Sequence, residues 1–314
     1  MKPVLKNGFK LVFSLGLLAG LSWYLFHQKG ISTQDFLSAL NKFELTTIAL
    51  SVFLFSLQNF FMALRLWVLF PKTERVGLGT VIHGVFFGQA VNTFFPARAG
   101  DVLKVVIFSR SGSTAATTAT GVIIADKIID LSALVVLILL SRSFVHGSQQ
   151  LAFPVSFKGI MLLFTAFLGS LFLLRFLFRS RLKQLDLWWT GFKMGLLGIL
   201  DIRRALLAFL FGIATWSCEA LTLACLSQAQ SFPISFSQGV FLLSILNLAI
   251  SIPISLGNLG PFEAALSFGL EKLGASGPMA IALAAFYHFL QMATLLGLSG
   301  LVALVRMIPS FGKR

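Results

Sequence analysis

Phe95-Pro96-Ala97-Arg98-Ala99-Gly100-Asp101 interrupts an otherwise apolar stretch that runs from about residue 80 to residue 109. Proline removes a backbone donor and glycine permits a sharp reversal, so the stretch reads as helix, break, helix, with each half too short to cross a bilayer. A second stretch, 238 to 272, has the same form around Pro253-Ile254-Ser255-Leu256-Gly257-Asn258-Leu259-Gly260-Pro261. Where these two breaks lie relative to the surrounding chain decides the architecture.

The surrounding chain belongs in a membrane. Of its 314 residues 57% are hydrophobic and 11% charged, with 34 phenylalanines and a mean hydropathy of +0.89. Soluble domains run at about 45–50% apolar and about 25% charged, which excludes a water-soluble globule. Runs at 11–26, 45–70, 117–140, 158–178, 204–226 and 279–305 predict six full spans. The first follows Lys2, Lys6 and Lys10 but ends in His27-Gln28-Lys29-Gly30 instead of a small-residue cleavage site, so it is expected to persist as a helix. The formal charge of +14 is explained by basic loops and implies no nucleic-acid partner. Cys218 and Cys225 lie seven residues apart in one apolar run, too far for a bond within one helix, and neither a metal site nor a cofactor is expected.

Loop charge predicts orientation. Segment 71–76 carries Lys72 and Arg75, and segment 179–204 carries Arg179, Arg181, Lys183, Lys193, Arg203 and Arg204 against Asp186 and Asp201; both belong on the cytoplasmic side. Segments 27–44, 141–157 and 227–237 are balanced or nearly uncharged and suit the outer side. With a cytoplasmic N-terminus, 80–109 must then enter and leave from inside, and 238–272 from outside. The expectation is an all-α polytopic protein of the inner (cytoplasmic) membrane, with six full transmembrane helices and two oppositely oriented re-entrant helical hairpins. Repeat one is 45–140 and an inverted repeat two is 204–305, within a single integral membrane domain. Residues 1–44 form the first helix and an outer loop, residues 141–203 a linking helix and a basic cytoplasmic loop, and both termini are cytoplasmic. Inverted repeats with broken helices are a signature of carriers. Kinks between ordinary spans are the plainer alternative.

A charge at bilayer depth costs at least about 2.5–3.5 kcal/mol on insertion scales, so each one needs a partner or a use. Arg98, Asp101 and Lys104 cluster at the first break. Asp101 could serve as a cap in a first helical turn, whereas Arg98, at the positive end of a half-helix, suits a phosphate. Asp126, Lys127 and Asp130 share one spanning helix; they form either an ion-pair network with one another and with Arg98 or Lys104, or a wet interior face. Repeat two supplies Glu219 in mid-helix, Asn258 and Glu263 at the second break, and Tyr287 with His288 in the last helix. Glu263 could be a cap, and His288 a partner of Glu219 or Glu263 or a proton carrier. No nucleotide-binding, hydrolase or zinc-protease motif is present, so no enzyme is expected.

Arg65-Leu66-Trp67, Gly88 to Lys104 through Asn92-Thr93-Phe94-Phe95-Pro96-Ala97-Arg98-Ala99-Gly100-Asp101, Asp126-Lys127-Ile128-Ile129-Asp130 and Ser255 to Ala265 resemble successive signatures of the lysylphosphatidylglycerol synthase transmembrane-domain family. The resemblance covers roughly residues 45 to 305. Asp101 and Asp126 stand where that family prefers Glu, Lys127 where it prefers Arg, Asn258 where it has glycine, and His288 where arginine commonly follows the tyrosine. What the resemblance implies is lipid handling by a flippase-type module. Because the chain ends at Arg314, the soluble synthase domain, and with it aminoacyl transfer, is not expected.

Together these point to a lipid translocase for a phosphate-containing lipid, such as an aminoacylated phospholipid or a polyprenyl-phosphate glycolipid. Arg98 with Lys104 or Lys127 would hold the phosphate, and Asp130, Glu219 and Glu263 would contact the headgroup or take a coupling proton or ion. Two other readings are an accessory subunit presenting lipid to a synthase or glycosyltransferase partner, and an ion-coupled small-solute carrier.

Overall fold

A computed structural model describes residues 33–74, 76–95, 98–144, 183–251 and 255–307. The expected spans at 11–26 and 158–178 lie outside the described residues, as do the breaking residues Pro96 and Pro253. The described chain forms ten α-helices: α1 (Thr33–Leu40), α2 (Leu45–Leu69), α3 (Leu78–Phe94), α4 (Ala99–Arg110), α5 (Ala116–Phe144), α6 (Lys183–Leu196), α7 (Ile202–Ala229), α8 (Phe236–Ile250), α9 (Pro261–Lys272) and α10 (Gly277–Met307), with short 3-10 turns at Lys72–Glu74, Leu197–Ile199 and Leu256–Asn258. Two of these correct the sequence reading. Residues 183–196 form a helix within the expected basic loop, and 33–40 a helix within the expected outer loop. Both are short and amphipathic, so neither presents a continuous apolar run.

α2, α7 and α10 are long and apolar enough to cross a membrane. α5, at 29 residues, has the length but carries Asp126, Lys127 and Asp130 in its middle. The two interrupted stretches fold as helix, break, helix. α3 has 17 residues and α4 has 12, while α8 has 15 and α9 has 12. At ~1.5 Å per residue these halves reach about 18–26 Å, short of a ~30 Å hydrocarbon core.

In the first hairpin α4 folds back along α3: Gly84 meets the Phe108 ring, Gly88 meets Lys104 and the Gly100 backbone, and the Asn92 Oδ1 accepts from the Gly100 N–H at 2.7 Å. A Cβ at Gly100 would collide with the Gly88 carbonyl, so the close approach of the two arms requires glycine there. α9 likewise packs along α8, with Gly269 against Leu242 and Ile245.

The packing divides the ten helices into two sets of five. α2 and α7 run antiparallel along most of their length, since Phe70 takes a bond from Arg204 at one end, Gln58 bonds Glu219 farther along, and Thr47 lies against Cys225 at the other. The remaining contacts come in matched pairs: α3 packs on α10 as α8 packs on α5, α5 on α7 as α10 on α2, and α1 on α10 as α6 on α5. Exchanging α1–α5 with α6–α10 therefore maps the contact pattern onto itself, and the antiparallel α2/α7 pair makes the two halves inverted. Each half has its own apolar centre. Leu66, Leu69, Val81, Val85, Phe108 and Val122 clasp the first hairpin, whereas Leu223, Leu242, Leu246, Leu266, Leu270 and Leu283 clasp the second. The two breaks meet at the centre, where Gly257 lies against the Thr93 carbonyl.

Candidate functional site

Between the two breaks lies a cavity of about 550 Å³. Its wall is polar for a protein this apolar: Gln58 and Asn59 from α2, Asn92 and Arg98 from the first hairpin, Lys127 and Asp130 from α5, Glu219 from α7, Ser255 and Asn258 from the second break, and His288 and Gln291 from α10. Six of the residues expected from sequence, Arg98, Lys127, Asp130, Glu219, Asn258 and His288, therefore share one cavity. Asp101, Lys104, Asp126, Glu263 and Tyr287 are not part of that lining and hold it from behind.

At the first break, Arg98 precedes α4 in a left-handed backbone conformation, φ 54°, with its side chain exposed. Non-glycine residues seldom adopt this conformation, and such strain is costly enough to persist only where the surroundings hold it. Among the described residues Arg98 makes no ion pair. Asp101, in the first turn of α4, accepts from Lys104 Nζ at 2.9 Å and from Asn92 Nδ2 at 3.3 Å, and its second oxygen lies 3.9 Å from Lys127 Nζ. Lys104 is 3% exposed and also donates to Gln89 at 3.3 Å, which leaves its ammonium committed inside the hairpin. Lys127, by contrast, keeps about a third of its side chain exposed. It points to Asp101 and not, as its spacing allowed, to Asp130.

Asp126 and Asp130 both grip Arg65, a residue that entered the sequence reading only through a motif. The Arg65 Nε lies 2.7 Å from Asp126 Oδ1, its second guanidinium nitrogen bonds Asp126 Oδ2 at 3.3 Å, and its third bonds Asp130. Trp216 donates its indole N–H to the Asp130 carbonyl at 3.1 Å. The expected network on α5 exists, but its cation comes from α2 and not from Arg98 or Lys104. A lone arginine in the apolar run 45–70 was the signal.

The second break repeats this plan with different chemistry. Gly257, Asn258 and Gly260 all have positive φ, and asparagine is among the few non-glycine residues at ease there. Glu263, in the first turn of α9, accepts from the Gly260 N–H at 2.8 Å and meets His288 Nδ1 at 2.6 Å, with the His288 ring stacked 4.0 Å from that of Phe262. Glu263 is thus both a cap and the partner of His288, as Asp101 is of Lys127. One residue before His288 and three after it, Tyr287 and Gln291 bond Glu219 at 3.2 and 3.5 Å, in the places where Asp126 and Asp130 bond Arg65. Gln58 Nε2 completes the set at 3.0 Å from Glu219. Sequence reasoning found Glu219, Tyr287 and His288 but missed Gln58 and Gln291, since neutral amides break no hydropathy rule. Among the described residues no cluster of three metal-ligating His, Cys, Asp or Glu side chains occurs.

Two inverted helical halves around a polar central cavity define a polytopic membrane protein. The chain belongs to the family described as the lysylphosphatidylglycerol synthase TM region, whose model matches residues 11–299. No curated protein matches it.

Proposed function

We propose that this protein is a translocase of the cytoplasmic membrane that moves a phosphate-bearing lipid between leaflets, such as an aminoacylated phospholipid or a polyprenyl-phosphate glycolipid. The observation that carries this reading is Arg98: an arginine held at φ 54°, exposed and unpaired among the described residues, on the wall of a cavity whose other basic side chain, Lys127, already lies toward Asp101. A guanidinium at the positive end of a half-helix is suited to bidentate phosphate recognition. Lys127, which lies toward Asp101 and also lines the cavity, supplies the second positive charge, while Lys104 is spent on Asp101 and Gln89. Asp130, beside Lys127 on the same wall, can accept from an ammonium or hydroxyl headgroup. The family points the same way, since its name concerns a phospholipid.

Purified protein in liposomes with NBD-labelled phosphatidylglycerol, read by quenching of the outer leaflet with dithionite, tests the proposal. The parent equilibrates the probe between leaflets, and Arg98→Ala slows it at least about tenfold, the effect of losing one charge-assisted bidentate contact of 1.5–3 kcal/mol. Equal rates for Arg98→Ala and the parent would remove the phosphate assignment. No movement by the parent would favour a scaffolding role, and flux of a small solute without lipid would favour a solute carrier.

A further inference from the structure

Of the two carboxylates that line the cavity, Asp130 is held by Arg65 and Glu219 by no cation among the described residues. The Glu219 oxygens meet three neutral donors, Gln58 Nε2, Tyr287 Oη and Gln291 Nε2, and no Lys, Arg or His pairs with it among the described residues. The charges that face it from the packed elements are already matched: from α2 Arg65 holds Asp126 and Asp130 of α5, Lys127 of α5 lies toward Asp101, and His288 of α10 meets Glu263 of α9. α8 brings uncharged Asn247 to the cavity, and on α7 itself the adjacent ionisable group is the Cys218 thiol.

A second observation bears on what neutralises this carboxylate. Gln58 is 6% exposed, lines the cavity, and its Oε1 has no hydrogen-bond partner. A metal cation would need oxygen acceptors turned toward it, yet three donors are turned toward Glu219. A proton needs only a carboxylate oxygen. With a proton there, a half-turn of the Gln58 amide lets the orphaned Oε1 accept from the Glu219 O–H, so Gln58 keeps a bond to Glu219 in both states, donating in one and accepting in the other.

We propose that Glu219 binds and releases a proton at the cavity, and that this proton couples lipid movement to a transmembrane pH gradient. The coupling rests on the translocase reading; proton binding at Glu219 does not. The proton arrives from water on one side, sits on a Glu219 oxygen hydrogen-bonded to Gln58, and leaves to water on the other.

Two measurements on the full-length protein separate these parts. In liposomes with the electrical potential clamped by potassium and valinomycin, a one-unit pH gradient sustains an about tenfold excess of trace NBD-phosphatidylglycerol in one leaflet for one proton per lipid. Glu219→Gln, which mimics the protonated form, equilibrates the probe with no excess. A parent indifferent to the gradient, or a Glu219→Gln protein that accumulates probe like the parent, overturns the coupling. Infrared difference spectra between neutral and acidic pH require no lipid movement. The parent must show a protonated-carboxyl stretch that is lost in Glu219→Gln, and in Gln58→Leu, which keeps the carboxyl, that band must move in frequency. A band that survives in Glu219→Gln, or one unmoved in Gln58→Leu, overturns the proton site even where the liposome experiment succeeds. A parent that moves no probe but shows the band defeats the translocase reading and leaves the proton site standing.

Discussion

Arg65 has no exposed surface and sits between two carboxylates of a neighbouring helix. Removing it leaves Asp126 buried and Asp130 half-buried without a cation, and breaking a buried pair such as Arg65–Asp126 costs about 3–5 kcal/mol. Arg65→Leu should therefore lower the melting temperature in detergent sharply. Arg65→Leu combined with Asp126→Leu and Asp130→Leu should recover much of the loss, because replacing a whole buried ion cluster by apolar groups is often neutral. An Arg65→Leu protein melting with the parent would show that the cluster carries no stability. At this scale the sequence revealed which residues break the hydropathy rule, because a charge in an apolar run is visible without coordinates. Partners were less visible: Lys127 has Asp130 three residues away yet turns to Asp101, and Glu219 is held by Gln58, 161 positions earlier. Backbone geometry was invisible too, since nothing in Ala97-Arg98-Ala99 announces a left-handed arginine.

Each hairpin must be closed at its base as well as joined at its tip. For α3 and α4 the closure comes from Glu74, in the turn before α3, whose carboxylate accepts from the Thr114 hydroxyl at 2.8 Å and the Ala115 N–H at 2.9 Å at the start of α5. Partial burial pushes the Glu74 carboxyl up, but the Ala115 N–H and the threonine hydroxyls outweigh it and hold the carboxyl below its ordinary value of 4.5. A group whose folded value is depressed stabilises the fold above its unfolded value and loses that contribution as pH falls through the folded one. Glu74→Gln should cost about 1 kcal/mol at neutral pH, near the low end for bonds to a charged group because solvent screens this one. In thermal melts the gap between variant and parent should close as pH falls below about 4.5, and a constant gap would assign the effect to packing instead. Elements were legible where one residue type dictates the backbone. Pro96 and Pro253 marked both breaks, and long apolar runs marked α2, α7 and α10. The amphipathic helices α1 and α6 went unread because 8 and 14 residues of mixed polarity resemble a loop. α6 is settled instead by contact, with the Gly191 and Gly195 backbone laid directly on Thr117, Thr118 and Gly121 of α5.

Placed in a membrane, the two halves would make opposite demands on it. If α2, α5, α7 and α10 cross it, the antiparallel α2/α7 pair places the bases of the two hairpins on opposite faces, while the meeting of Gly257 with Thr93 places both tips in the interior. Half-helices of 12 to 17 residues cannot reach the far side, and irregular backbone at membrane depth is tolerated only where it is buried in protein or lines a wet cavity. The polar cavity supplies that condition, so the fold and the site depend on each other: without the cavity the breaks have no solvent, and without the breaks the cavity has no Arg98 or Asn258. Single cysteines on a background with Cys218 and Cys225 replaced test this arrangement in sealed vesicles. Thr73→Cys and Ser113→Cys, flanking the base of the first hairpin, should react with a membrane-impermeant maleimide from one side only. Gln228→Cys and Ser276→Cys, flanking the base of the second, should react only from the other. All four positions are solvent-exposed, so the sidedness and not the reactivity carries the information. Opposite-side labelling of Thr73→Cys and Ser113→Cys would mean that the first hairpin crosses completely, and same-side labelling of all four would mean that the halves are not inverted across the bilayer. Either result would remove the central cavity from the membrane interior, and with it the route by which a headgroup at Arg98 could pass between leaflets.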